Sequence, residues 1–348
     1  MTIAAPSPRA WFRGVRAERV LEHVDLRDQP DVLSRGGWWV VVAEFDGPWN
    51  AWRFADVRAT DEVTRGPERW HGPARDAWRT SLSRQEYAEA VQRVRADIAE
   101  GEVYQANICR VLAAPVPVRP DPVGLAVRLA SGNPAPYAAL VDIPAGGVAG
   151  PGAWVVSASP ELSLEVSDGI VTSGPIKGTA ATPSGLLPKD HAENVMITDL
   201  VRNDLQRVCV PGTVEVTDLL AVEEHPGLVH LVSRVRGRLL DRGPTGWPAL
   251  LAATHPPGSV SGAPKSSALR IIDELETAPR GPYCGQIGWI DADRGRARLA
   301  VGIRTFWWAD GELRFGTGAG ITWGSDPEQE WAETELKAAR LVSLASQA

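Results

Sequence analysis

Residues 162–179 read LSLEVSDGIVTSGPIKGT, and their pattern decides the fold. Apolar and polar side chains alternate from Leu162 to Ser167 and again from Ile170 to Ser173, the period of a half-buried strand. Asp168-Gly169 between the two runs favours a type I′ turn, so the runs pair as an antiparallel hairpin. The chain leaves this hairpin through Pro175-Ile176-Lys177-Gly178-Thr179. Lys177 is held at a strand end between a stiff proline and a permissive glycine, and its amine can be aimed from a rigid element into a cleft.

Composition draws attention to the same residue. Of 36 basic residues only Lys177, Lys189, Lys265 and Lys337 are lysines. Lysine can shed its proton when buried and act as base or nucleophile, whereas arginine cannot. Each lysine is therefore a candidate functional group, and the alternative is a solvated surface charge.

With 348 residues, 44% hydrophobic and 23% charged, the chain can build one large core or two domains. No apolar run approaches the roughly 20 residues that span a bilayer. The start, MTIAAPSPRAWFRG, lacks the apolar core of a secretion signal, so a cytoplasmic protein without membrane contact is expected. Cys109, Cys209 and Cys284 are far apart and form no CxxC pair, which signals neither a zinc site nor a disulfide framework. The net charge of -7 argues against nucleic-acid binding. A small-molecule enzyme fits better.

Along the chain, Trp38–Phe45 and Trp49–Phe54 flank Asp46-Gly47 as a second hairpin. Ser83 and Glu86 form a capping box, and Tyr87, Val91, Val94 and Ile98 follow at helical spacing until Gly101. Glu102–Ile108 predicts a strand with Gln105 and Asn107 on one face. A buried strand, Trp154–Ala158, ends at Ser159-Pro160-Glu161, and Glu161 is either a desolvated general acid or a surface turn carboxylate. Asp190–Val208 predicts a helix with Asp190 and Glu193 at i, i+3, while Ser325-Asp326-Pro327-Glu328 caps a last helix carrying Glu330, Glu333 and Lys337 on one face. Two such carboxylate pairs could jointly hold Mg²⁺, or could simply form exposed ion pairs.

Four further stretches matter. Strand-like runs from Val214 to Leu240 surround His225 and His230, and His230 is a candidate catalyst or a hydrogen-bonded core residue. The loop Pro256–Lys265 opens a helix but is not a phosphate loop, because Pro264 stands where the Walker pattern needs glycine. Its helix start can still bind a carboxylate. Tyr283–Ile290, Arg298–Trp308 and Glu312–Phe315 predict a closing antiparallel sheet. Within it Arg304 lies in an apolar run and needs an anion if buried, either a protein carboxylate or a ligand. Gly316–Gly320 lets backbone approach a ligand closely.

In order, the chain carries GEVYQ, SPE, PIKGT, AEN with DLVRND, GSVSGAPK, RGPYCG, IRT, GAGI and PEQEWAETELKA. With these motifs it resembles the chorismate-utilising enzymes, which include anthranilate, isochorismate, salicylate and aminodeoxychorismate synthases. The resemblance runs from about Ser83 to the C-terminus. It implies an α+β fold, an α/β sandwich of two face-packed antiparallel sheets with helices outside. Residues 81–348 would form the catalytic domain, and residues 1–80 a shortened β-rich region packed on it. The implied ligands are chorismate and Mg²⁺, the metal on Glu193 and Glu333 with Asp190 and Glu330 reached through water. Tyr283 and Arg304 would take the enolpyruvyl carboxylate, and the Gly318–Gly320 backbone and the metal the ring carboxylate. Thr179 and Lys265 are further substrate-binding candidates, and His230 joins Lys177 and Glu161 as catalytic candidates.

The resemblance also bears on the reaction. Water-adding members tend to carry lysine where this chain has Gln105, so Gln105 implies ammonia. Anthranilate synthases usually carry alanine where this chain has Lys177, and lysine there marks aminodeoxychorismate synthases. The expectation is amination at C4 through a covalent lysine adduct, with ammonia from a separate glutamine amidotransferase subunit in a heterodimer. Anthranilate synthase component I and a non-catalytic chorismate-binding subunit are the alternatives. One departure from the family pattern is His255-Pro256-Pro257-Gly258 in place of the more usual Phe-Pro-Gly-Gly.

Overall fold

The computed structural model describes residues 7–63, 70–180, 182–225 and 228–347. The N-terminal strands are β1 (Arg9–Phe12), β2 (Gly14–Asp25), β3 (Trp38–Ala43) and β4 (Trp49–Thr60). A short β5 (Arg79–Thr80) and helix α1 (Arg84–Ala99) lead into β6 (Gln105–Pro115) and α2 (Pro122–Gly132). Next come β7 (Tyr137–Ile143), β8 (Ala153–Ser159), β9 (Leu162–Ser167), β10 (Ile170–Gly174), β11 (Ile176–Ala180) and helix α3 (Pro188–Gln206). They are followed by β12 (Glu215–His225), β13 (Leu228–Arg238), α4 (Trp247–Thr254), β14 (Gly262–Ala263) and α5 (Lys265–Leu275). The chain closes with β15 (Gln286–Asp291), β16 (Arg296–Val301), β17 (Thr305–Ala309), β18 (Glu312–Ile321) and α6 (Pro327–Ala345).

The hairpin expected from the opening stretch is β9–β10, and Asp168 and Gly169 take the positive φ angles, 53° and 73°, that its turn demands. All the strand pairs are antiparallel and form one ladder. It starts at β6, flanked by β5 and β14, and passes through β18, β17, β8, β7, β1, β2, β4, β3, β15, β16, β9 and β10 to β13, which also carries β11 and β12. The ladder folds back on itself, and the two halves pack face to face. Phe12, Val40, Trp52, Cys109, Val141, Val155 and Ile287 from both halves share one buried cluster. Helices α3 and α4 cover one outer face, while α2 and α6 cover the other, each over its own apolar cluster. The N-terminal strands are woven in: β1 pairs with β7 and β3 with β15.

Among the boundaries that differ from the sequence expectation, three have a local cause. Strand β6 begins at Gln105 rather than Glu102, because the Glu102 amide still donates to Asp97 O in the turn that ends α1. The run Arg298–Trp308 is two strands broken at Gly302-Ile303-Arg304, where Arg304 has φ 53°. A Cβ on Gly302 would lie 2.0 Å from Pro282 O, so the close approach of the Tyr283 turn forces the break. That turn, with Cys284 at φ 64°, also delays the start of β15 to Gln286.

Candidate active site

The two ends of the folded ladder meet at Lys177. The lysine comes from β11 at one end, and Gln105 and Gly320 come from β6 and β18 at the other. A methyl group built on Gly320 would sit 3.3 Å from Lys177 Nζ and 2.0 Å from Gln105 Nε2, which measures how closely the three converge. Gly178 has φ 86°, and a Cβ there would meet Asp190 Cβ at 2.8 Å, so glycine is required for β11 to pass under α3. Gln105 is fully buried, and its Oε1 has no partner among the described residues. An orphaned buried acceptor of this kind is a place for a ligand donor.

Glu161 is 3% exposed just after β8. Burial pushes its carboxyl up to about 7, against the opposing pull of Ser259, Lys177 and the Ile176 amide. It is thus an acid that keeps its proton near neutrality beside the lysine.

Helices α3 and α6 bring the carboxylates together. Burial raises Glu193, with Lys177 and Lys189 pulling it down and Glu333 and Asp190 pushing it up. Glu333 is also pushed up by burial, but Lys337, Lys189 and Lys177 outweigh that and hold it below the usual range. Lys337 Nζ lies 2.6 Å from Glu333 and donates to Gly318 O at 2.9 Å. Burial raises Glu330. Asp190 is occupied as a helix cap, accepting the Leu187 amide at 2.8 Å.

Among the described residues no group of three or more His, Cys, Asp or Glu side chains is arranged to hold a metal. Mg²⁺ is commonly held by one or two carboxylates plus waters and substrate oxygens, so a two-carboxylate site meets its needs. Glu193 on α3 and Glu333 on α6 supply hard oxygen donors near enough to feel each other's charge, and an ammonium already sits on one of them. The donor set fits the ion. Asp190 acts electrostatically on Glu193, and Glu330 is within reach of the charge on Glu333.

Arg304 stands at the break between β16 and β17. It is largely buried, burial lowers its affinity for the proton, and no hydrogen bond or ion pair to a described residue satisfies it. Of the two readings, a protein carboxylate or a ligand, no carboxylate among the described residues pairs with it. Tyr283 is buried with its ring against Gly316 and its hydroxyl 3.8 Å from Cys109 Sγ. Gly318 is needed for close packing, since a Cβ there would lie 2.5 Å from Cys109 Sγ. His230 is buried on β13 opposite Thr179 of β11. The Thr179 side chain lies outside the described residues.

Lys265 does not join the Lys177 cluster. It pairs with Asp204 at 2.8 Å and lines an outer cleft. Sequence reasoning also passed over Arg280, which is fully buried over the Phe45 ring. It donates to Asn107 O at 2.6 Å, to Val260 O at 2.9 Å and to Glu276, and so ties β6 to the Gly258–Lys265 loop. Its position inside RGPYCG, four residues after Glu276, was the available signal.

The sequence profile of the chorismate binding enzyme matches residues 49–343. The chain belongs to this family. An anthranilate synthase component 1 of Haloarcula marismortui is 37% identical over 88% of the chain and 64% of its own length. An aminodeoxychorismate synthase component 1 of Salmonella typhimurium is 36% identical over 80% of the chain and 61% of its own length. The chain thus spans less than two thirds of these curated relatives. Among solved structures, anthranilate synthase component I from Streptococcus pneumoniae superposes with a TM-score of 0.78 at 25% identity, covering 98% of this chain and 93% of that one. The expected α+β sandwich is thereby borne out. No helix among the described residues of this chorismate binding enzyme is long and apolar enough to cross a membrane.

Proposed function

We propose that the chain is an aminodeoxychorismate synthase component I, which replaces the C4 hydroxyl of chorismate by ammonia to give 4-amino-4-deoxychorismate. Relatives of the anthranilate and aminodeoxychorismate classes are equally similar, at 37% and 36%, so overall likeness does not choose between them. The observation that carries the reading is Lys177 Nζ converging with Gly320 and Gln105, with the buried Glu161 carboxyl near enough to feel its charge.

The chemistry follows from these groups. The C4 hydroxyl is a poor leaving group, and Glu161 gives it a proton so that it departs as water. The neutral amine of Lys177 attacks C2 as that bond breaks, with allylic shift of the double bond, and a carbon–nitrogen bond joins enzyme and ring. Ammonia held near Gln105 then adds at C4 and expels the lysine. Arg304 and Tyr283 hold one substrate carboxylate, the Gly318–Gly320 backbone lies against the other, and His230 stands on β13 opposite Thr179 of β11. Lys265, engaged with Asp204, serves the outer cleft rather than the reacting atoms. Mg²⁺ held by Glu193 and Glu333, with Asp190 and Glu330 beyond water, would draw charge from the ring carboxylate.

Relatives named component 1 support a separate second component, read here as a glutamine amidotransferase that supplies ammonia in a cytoplasmic heterodimer. Incubation with chorismate, Mg²⁺ and ammonium, followed by product mass, tests the assignment. An aminodeoxychorismate mass with no release of pyruvate supports it, while a fluorescent anthranilate product overturns it. Lys177→Ala is expected to bind chorismate without turnover, and full turnover in that variant removes the covalent step. If glutamine never replaces ammonium with any candidate amidotransferase subunit, the partner assignment fails.

A further inference from the structure

Asp204 stands between two cavities. The inner one, about 20 Å³, is walled by Glu161, Ser163, Ser173, Asp204, Thr254 and Ser259, with apolar residues between them. It has room for one water molecule, and these side chains offer the two to four polar partners that a buried water needs. The outer cavity is a cleft of about 480 Å³ open to solvent between α3 and the Gly258–Lys265 loop, walled by Tyr104, Asp199, Asn203, Asp204 and Lys265 among others. Asp204 and Gly258 belong to both walls. Asp204 is the only ionisable side chain the two walls share.

The proposed reaction creates a demand that this arrangement meets. Glu161 gives its proton to the departing hydroxyl, which leaves as water. Ammonia arrives neutral and remains on the product as an ammonium group, and the lysine is returned as a free amine. With neutral ammonia entering and an ammonium group leaving, each turnover takes up one proton from solvent, and Glu161 must end it protonated.

We propose that Asp204 relays this proton, taking it from water in the outer cleft and passing it through a water in the inner cavity to the back of Glu161. The charged groups facing Asp204 are Lys265 on α5, at 2.8 Å, and Arg207, next after α3. Lys265 holds the carboxylate in place at the mouth of the cleft. Burial raises Asp204 against the pull of both cations, which keeps it able to accept a proton. The inference rests on Glu161 acting as the general acid.

Asp204→Asn keeps the shape and removes the exchangeable proton. With chorismate, Mg²⁺ and ammonium it is expected to lower kcat by about tenfold or more. The KM for chorismate should stay within about twofold, because ground-state binding is untouched. Added formic acid, small enough for the cleft, should restore part of the rate, which a purely structural lesion would not permit. Ser173→Val fills the inner cavity without touching Asp204, and it should lower kcat with no rescue by formic acid. A wild-type kcat in Asp204→Asn overturns the relay, as does a slow variant that formic acid leaves slow. Should Asp204→Asn fail to fold, Ser173→Val at wild-type rate overturns it alone. Glu161→Gln in parallel separates the two claims: turnover there removes the acid itself, whereas a dead Glu161→Gln beside a normal Asp204→Asn removes only the relay.

Discussion

Replacing Glu161 by glutamine should inactivate the enzyme and stabilise it, and the stabilisation should depend on pH. Glu161 keeps its proton to about 7, where an ordinary glutamate loses it near 4.5. The folded chain therefore binds this proton more tightly than the unfolded chain does. That contribution to stability is complete below about pH 4.5 and is lost as the pH rises through about 7. At about 1.4 kcal/mol per pH unit of separation, the loss amounts to roughly 3 kcal/mol by pH 8. Glutamine has nearly the same shape, can still accept the Ile176 amide, and never ionises.

A chain of this length has an unfolding entropy near the melting point of about 0.7 kcal/mol/K, so roughly 3 kcal/mol corresponds to about 4 °C. Calorimetric melting of both proteins at pH 5 and pH 8 provides the comparison. Glu161→Gln should melt about 1 °C above the parent at pH 5 and about 4 °C above it at pH 8. Glu44 is also held up to about 7, by burial and by Asp46, but it titrates in both proteins and cancels in the difference. An increment that is the same at the two pH values would refute the claim that burial holds the Glu161 proton. So would a variant less stable than the parent at pH 8.

Three other changes test the site from different sides. Gly320→Ala puts a methyl group 2.0 Å from Gln105 Nε2, so activity should fall by about a hundredfold while the melting temperature drops by no more than about 4 °C; an active variant would mean that Gln105 is not held where it matters. Arg304→Gln removes a largely buried cation that no described residue pairs, so stability should not fall, and the KM for chorismate should rise about tenfold to a hundredfold. An unchanged KM would remove Arg304 from the substrate. Mg²⁺ should raise the melting temperature of the chorismate-bound protein, and Glu333→Gln should abolish that rise; a rise that survives would displace the ion from this pair.

The parts of the fold that could be read from the sequence are those fixed by neighbours along the chain. Alternation plus Asp168-Gly169 sufficed for β9–β10, and the Ser83–Glu86 capping box for the start of α1. What could not be read depended on distant contacts. Whether Arg304 meets a carboxylate is a question about every strand that passes it, and its own apolar run carries no answer. The Asp204 partner of Lys265 lies 61 residues away, and the break before Arg304 is imposed by Pro282 O pressing on Gly302. The meeting of Lys177 with Gln105 arises only because the ladder folds until its ends face each other. Nothing local to either residue encodes that, and the family resemblance alone put them in one site.

The charges around Lys177 bear on why the arrangement works. Lys177, Lys189 and Lys337 share one electrostatic field with Glu193, Glu330, Glu333 and Asp190, so the cluster is close to balanced before substrate enters. Chorismate adds two carboxylates, of which Arg304 can offset one. The attack proposed for Lys177 uses its neutral amine, so the cluster then carries one positive charge fewer. A site with only these side chains must either protonate Glu193 and Glu330, both already raised by burial, or take up another cation against Glu193 and Glu333. The first route weakens the hold on the ring, because it leaves the second substrate carboxylate without a counter-charge. The second offsets that carboxylate directly, so the proposed metal site and the proposed lysine nucleophile support each other.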